Sequence, residues 1–215
     1  MTRRNRVDPF GDLHAAAERG TLTGNRGCLV DDDRRLVRHH QGNLWISCVT
    51  SFRGWRQPLD APHRWTPLFF LDDAVALAAG HRPCGTCRAE AYASYRDAVA
   101  RAFPGRWRAT SLNRQLAAER LQRGRGLERA GDRWMWSAKF GTVPAGAVVV
   151  LDSQPHLVVG GVARPFGFDG WGLDRHVDVD QSVTVLTPRL SVAALAHGYI
   201  PTLHPTSTTS GSRGG

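Results

Sequence analysis

Two cysteines separated by two residues constrain this chain more than any other feature. They lie in Gly80-His81-Arg82-Pro83-Cys84-Gly85-Thr86-Cys87-Arg88. Thiolates at this spacing both reach one tetrahedral metal ion. The pair stands just before a helical pattern, where backbone N–H groups favour anionic sulfur, and Arg82 and Arg88 add positive charge. A closed zinc site takes four ligands, so the pair is half of one. The other cysteines are Cys28, after a glycine turn, and Cys48, in an expected strand. His39, His40, His63 and His81 are the substitutes. Four cysteines in 215 residues are too few for a disulfide scaffold. The redox reading of this spacing expects a strand directly before it, whereas a helix is expected here. Structural Zn2+ is therefore the expectation, with two unliganded cysteines as the plain alternative.

The segment from Leu68-Phe69-Phe70-Leu71-Asp72-Asp73-Ala74 through Ala79-Gly80-His81-Arg82-Pro83-Cys84-Gly85-Thr86-Cys87 resembles the zinc-binding module of Ada-type DNA alkylation-repair proteins. It also resembles a similar module appended to some bacterial nuclease-like proteins. The shared pattern is a Phe-Phe pair, an acidic-Ala helix, Ala-Gly, an aromatic or His, then Arg-Pro-Cys, two residues and Cys. The resemblance covers residues 68–88 and leaves the remainder of the chain unmatched. It implies a small zinc-stabilised, treble-clef-like α+β unit of a kind that often sits on DNA, with alkyl-acceptor repair proteins among its relatives. In that family the first two ligands come from a compact Cys-x-x-x-Cys or His-x-x-x-Cys. This chain departs from it, since Leu44 stands four residues before Cys48. Cys48 is one upstream candidate, and Cys28 or a histidine the other.

Charge supplies the second constraint. The formal net charge is +9 and the pI is about 10.6, with Lys139 the single lysine. Arginine stays charged and presents a planar fork suited to phosphate, although a GC-rich genome would also favour it. The excess is not spread evenly. Residues 1–140 carry a net +10 and residues 141–215 a net −1. The densest stretch, 101–139, holds ten cations against Glu119, Glu128 and Asp132. Nucleic acid, DNA rather than RNA, is the expected partner. Arg106, Arg108, Arg114, Arg120, Arg123 and Arg125, with Arg82 and Arg88, are the candidate phosphate contacts.

Periodicity and turn chemistry give a coarse map. Residues 8–19 read as a short helix ended by Gly20, and Thr23 to Gly27 as a turn. Arg35–Arg38 and Leu44–Phe52 read as strands joined at Gln41-Gly42-Asn43. Asp72 or Asp73 caps a helix through Ala79, with Gly80 at its end. Residues 86–103 form the clearest helix, and Thr110 or Ser111 caps another that carries Leu112 and Leu116. Beyond residue 140 the period becomes that of strands: Ala147–Leu151, His156–Val159, Val162–Phe166 and Gln181–Leu186, with turns at Gln154-Pro155 and Gly160-Gly161. A short helix, Leu190–Ala196, precedes Gly198. The Ser/Thr/Gly tail from Thr206 is expected to be disordered.

Weaker constellations complete the inventory. His39-His40 with Gly42-Asn43-Leu44 is similar to the His and Asn-Leu of HNH nucleases at compressed spacing; the alternative is a polar hairpin tip. His176, Asp178 and Asp180 would share one strand face. His197, Tyr199 and His204 form a polar group near the C-terminal end, and Trp45, Trp55, Trp65 and Trp107 lie near arginines, where stacking on bases competes with a place in the core. The expected architecture is α+β: a zinc-binding unit over 1–104, a basic helical segment over 105–140, a small β-rich module over 141–205, and a tail. The function expected is nucleic-acid binding with structural zinc. The alternatives are a metal-dependent hydrolase or nuclease, an alkyl-acceptor relative, or an adaptor that docks a protein through residues 141–205. No apolar run approaches the ~18 residues of a membrane span and no signal-peptide pattern follows the basic start, so a cytoplasmic protein without a membrane partner is expected.

Overall fold

The computed structural model describes residues 3–54, 59 and 63–208. Trp55 and the tail from residue 209 lie outside them.

The described residues build two six-stranded sheets and four α-helices. The first sheet comprises β1 (Arg4–Val7), β2 (Leu13–Ala15), β3 (Leu22–Asn25), β4 (Ile46–Val49), β5 (Leu68–Phe70) and β6 (Arg82–Pro83). Its spatial order is β2-β1-β5-β3-β4-β6. The second comprises β7 (Trp136–Lys139), β8 (Val148–Leu151), β9 (Gln154–Val159), β10 (Val162–Gly167), β11 (Gly170–Trp171) and β12 (Ser182–Val185), in the order β11-β10-β9-β8-β12-β7. The helices are α1 (Asp73–Ala78), α2 (Ala89–Ala102), α3 (Ala109–Arg120) and α4 (Arg189–Ala196).

Alternation along the second sheet explains the layering. Val149, Leu151, Val158, Val183 and Val185 enter a core with Tyr95, Ala98 and Val99 of α2, Leu112 and Leu116 of α3 and Leu195 of α4. Val148, Leu157 and Leu186 enter a second core with Val7, Leu13, Leu22, Leu68 and Phe70 of the first sheet. Period-two alternation sends neighbours to opposite faces. A strand buried on both faces reads as a continuous apolar run, which is why Val148-Val149-Val150-Leu151 lacks polar positions. The second sheet is thus a middle layer between helices and the first sheet. The composition change near residue 140 does not mark a break in packing, because both cores draw on residues from either side of it.

Local readings hold where local chemistry decides. The Asp72 carboxylate accepts from Val75 N at 3.1 Å and starts α1. Gly80 adopts φ +83° beyond its end, and His81 N donates to Ala76 O. Gly160 and Gly161 turn the chain between β9 and β10 with φ +56° and +80°. The turn before β9 is made instead by Asp152 and Ser153, both at positive φ, so Gln154 and Pro155 belong to the strand.

Several expectations fail for tertiary reasons. Residues 8–19 are not a helix. Asp8 accepts from the N–H groups of Gly11 and Asp12 and turns β1 back into β2, and β1 is held by parallel pairing with β5. Arg35–Arg38 forms no strand beyond an isolated bridge between Val30 and Leu36. β4 pairs antiparallel with β3 and not with residues 35–38, so Thr23-Gly24-Asn25 is strand rather than turn. His176, Asp178 and Asp180 lie outside any strand. Thr206 is ordered, accepting from Trp171 N and from Arg164. Gly24 allows close approach: a Cβ there would stand 2.3 Å from the Phe70 ring and 2.8 Å from Ile46 O. Gly24→Ala should therefore cost about 1–3 kcal/mol in urea unfolding; an unchanged midpoint would refute this packing role.

Candidate metal centre

Strand register assembles the site. β4 pairs in parallel with β6, Ile46 opposite Arg82 and Ser47 opposite Pro83. Cys84 follows directly, and its N–H donates to Ser47 O at 2.9 Å. That places Cys84 beside Cys48 of β4. The turn of residues 85–88 leading into α2 then returns Cys87 to the same place. The Sγ atoms of Cys48, Cys84 and Cys87 lie within 4.8 Å of one another. Thiolates sharing one tetrahedral ion at about 2.3 Å each sit about 3.8 Å apart, so the three fit a single soft-metal site.

Arg88 braces this turn. It donates to both carboxylate oxygens of Asp73 at 2.7 Å and to Ser47 Oγ at 2.8 Å. Its side chain is only 8% exposed, and that of Asp73 1%. Asp73 also accepts from Thr202 N at 2.9 Å and from the Tyr199 hydroxyl. One ion pair therefore ties α1, the start of α2, β4 and the C-terminal segment together around the thiols.

Electrostatics divide the three thiols. Hydrogen bonding from Cys48, together with the N–H groups of Cys87 and Thr86, pulls Cys84 down to about 4 against the opposing effect of burial. The same bond to Cys84, and burial, push Cys48 up. Burial also raises Cys87. Cys84 is thus the thiol of the three most disposed to ionise, and a bound cation would displace the protons of the others.

The cluster opens on a cavity of about 690 Å³ that Arg6, Arg19, Phe52, Trp65 and Phe69 also line. The Arg6 guanidinium lies 4.7 Å from the centre of the Phe69 ring. Trp65 is a stacking candidate from the sequence and Phe69 belongs to the motif of residues 68–88, whereas Arg6, Arg19 and Phe52 do not stand out in sequence as part of a site. They converge through long-range pairing, such as Arg6 opposite Phe69.

The other metal candidates go elsewhere. Among the described residues, the group of three cysteines gains no fourth His, Cys, Asp or Glu. The Cys28 thiol donates to Val30 O at 3.4 Å. His81 is fully buried against Phe70, Trp45 and Arg26. His39 contacts Arg26 and Gly11 O, and His40 contacts His39. His63 pairs with Asp32 at 3.0 Å on the surface.

The arginine set also divides. Arg106, Arg108, Arg114, Arg123 and Arg125 are exposed. Arg82 and Arg120 are each 3% exposed, and Arg88 is committed to Asp73. Those three are interior and cannot serve as surface phosphate contacts. Of the tryptophans, Trp45 is buried, Trp107 donates to Phe103 O, and Trp65 lines the thiol cavity. No helix among the described residues is long and apolar enough to cross a membrane. No protein-family model, curated protein or solved structure matches this chain.

Proposed function

We propose that the chain is a zinc-binding protein that engages nucleic acid at the cavity over its thiol cluster. The observation that carries this reading is the lining of that cavity: three cysteines within ligand distance of one another, two arginines and three aromatic rings on one concave surface. Cys48, Cys84 and Cys87 would hold the ion, which when bound would keep all three as thiolates and fix the first sheet to the start of α2 in a treble-clef-like unit. Arg6 and Arg19 supply phosphate contacts. Phe52, Trp65 and Phe69 offer faces on which bases stack, an interaction of about 1–3 kcal/mol per base. DNA is favoured over RNA by the resemblance of residues 68–88 alone. A second reading, an alkyl-acceptor or other thiolate activity, draws on the same cysteines bordering an open cavity, where a small electrophile reaches them.

Metal content and binding test the proposal together. Wild type and Cys28→Ser should each carry about one zinc per chain, while Cys48→Ser and Cys84→Ser should carry none. Zinc retained in Cys84→Ser would overturn the site. Affinity for a short single-stranded DNA should fall with added salt, and replacing Arg6 and Arg19 with Gln should reduce the log–log slope by roughly 1 per contact. Undetectable binding at low salt, or binding without a slope, refutes the nucleic-acid reading. A mass gain of one methyl group on Cys48, Cys84 or Cys87 after exposure to a methyl donor would support the second reading.

A further inference from the structure

A second cavity, of about 480 Å³, lies between the segment before β4 and the loop after α3. His40, Trp45, Arg120, Arg123, Arg125 and Arg129 border it, and none of them lines the thiol cavity. Behind its wall, three arginines are buried with only the more distant charge of Asp8 and Asp12 acting on Arg26 and Arg133, and none of the three makes a direct ion pair among the described residues. Arg26 is 0% exposed, and Arg120 and Arg133 3% each. Their guanidinium groups donate to carbonyls: Arg26 to Gly11, Arg120 to Gly80 and Asn43, Arg133 to Ala78 and Leu186. The carboxylates nearby are engaged elsewhere. Asp8 caps its own turn and binds His14, Asp12 accepts from the N–H groups of Arg129 and Ala130, and Asp132 pairs with Arg129. Arg26 Nη2 and Arg133 Nε and Nη1 are buried without a hydrogen-bond partner among the described residues.

Trp45 joins this charge to the cavity. The Arg26 and Arg120 guanidiniums lie 4.4 and 4.0 Å from its ring centre, a cation–π arrangement in which Arg120 borders the cavity and Arg26 lies buried outside its lining. Desolvation, reinforced by Arg133 and, for Arg120, by Arg26, pulls both arginines down to about 9. Burying unpaired cations is costly unless an anion compensates them. Guanidinium forks favour phosphate oxygens, which accept two parallel bonds. The loop also projects Arg123 and Arg125 from its exposed surface into the same lining, and the volume is that of a small-molecule pocket.

We propose that this cavity binds a phosphate monoester of mononucleotide size, at a site separate from the thiol cluster. Buried Arg120 and Trp45 form the wall, Asp132 orients Arg129, and Arg123 and Arg125 close over the phosphate from the loop. A monoester is favoured over a chain phosphodiester because its second negative charge answers the four arginines that border the cavity, Arg120, Arg123, Arg125 and Arg129.

Calorimetric titration of the full chain with AMP, inorganic phosphate, adenosine and a dinucleoside monophosphate tests this at fixed chloride ionic strength. AMP and phosphate should bind saturably with a dissociation constant below ~1 mM, and adenosine should not. Arg123→Gln with Arg125→Gln, both at exposed positions, should leave the thermal midpoint of the free protein unchanged and weaken AMP at least ~10-fold. Arg106→Gln, outside the cavity, should leave AMP binding intact, as should Cys84→Ser if that variant folds. No saturable heat, equal binding of adenosine, or an unaltered double variant overturns the site. Tighter binding of the dinucleoside monophosphate than of AMP overturns the monoester.

Discussion

Asp73→Asn should destabilise the fold by about 3 kcal/mol and lower its thermal midpoint by roughly 10 °C. The substitution keeps the shape of the side chain and removes its charge. Arg88 would then remain almost wholly buried with its bidentate partner gone. Breaking one side of a buried pair is costly because the surviving ion is not returned to water. The damage should spread, since Asp73 also receives Thr202 N and the Tyr199 hydroxyl and Arg88 also holds Ser47 beside Cys48. Metal affinity should therefore fall in the same variant although no thiol has changed. Replacing both members, Asp73→Leu with Arg88→Met, should cost less than the two single changes combined, because no unpaired charge is left. A loss under ~1 kcal/mol for Asp73→Asn in denaturant unfolding would mean that the pair is not the brace described.

Acid should destabilise the protein from about pH 6.5 downward, through its buried histidines. Burial, with Arg26 next in importance, depresses His39 to about 2 and His40 to about 4, and lowers His81 well below the ordinary value of 6.5. These histidines are neutral in the fold and protonate once unfolded. The unfolded chain therefore binds more protons as pH drops below 6.5, and stability rises with pH through that window. Each such histidine removes about 1.4 kcal/mol per pH unit between its unfolded and folded values. The loss should begin near pH 6.5 and continue past pH 4, after His40 has reached its folded value. His81→Phe, which suits a site already packed against Phe70 and Trp45, should flatten the profile. A stability that stays level from pH 7 to 5 would contradict the neutral, buried state of these rings.

What the sequence made legible was local. The acidic pair Asp72-Asp73 and Gly80 announce the ends of α1, the pattern of residues 86–103 announces α2, and the apolar run Ala147–Leu151 announces a strand. Cys84 and Cys87 are visible for the same reason, since their spacing is the chemistry. The third thiol was a choice among candidates. Cys48 joins through the register of β4 on β6, a pairing across more than thirty residues that no nearby pattern encodes. Residues 8–19 misled because Leu13, Ala16 and Ala17 also suit a helix, whereas pairing of β1 with β2 and β5 decides for strand. The arginine density misled in another way. A count of charges says nothing of depth, and Arg120, Arg129 and Arg133 from the densest stretch are buried.

The middle layer has a consequence for how the molecule is made. Its strands come from residues 136–185, so a ribosome releases the first sheet and α2 and α3 before the sheet that separates them. Cys48, Cys84 and Cys87 all emerge ahead of β7, the first strand of that layer. At ordinary elongation rates of about 5–20 residues per second, several seconds pass between the last thiol and the last strand. During that interval the apolar faces of both outer layers lack their partner. A cation captured early by the three thiols would fasten β4, β6 and the start of α2 while the rest of the protein is still being synthesised.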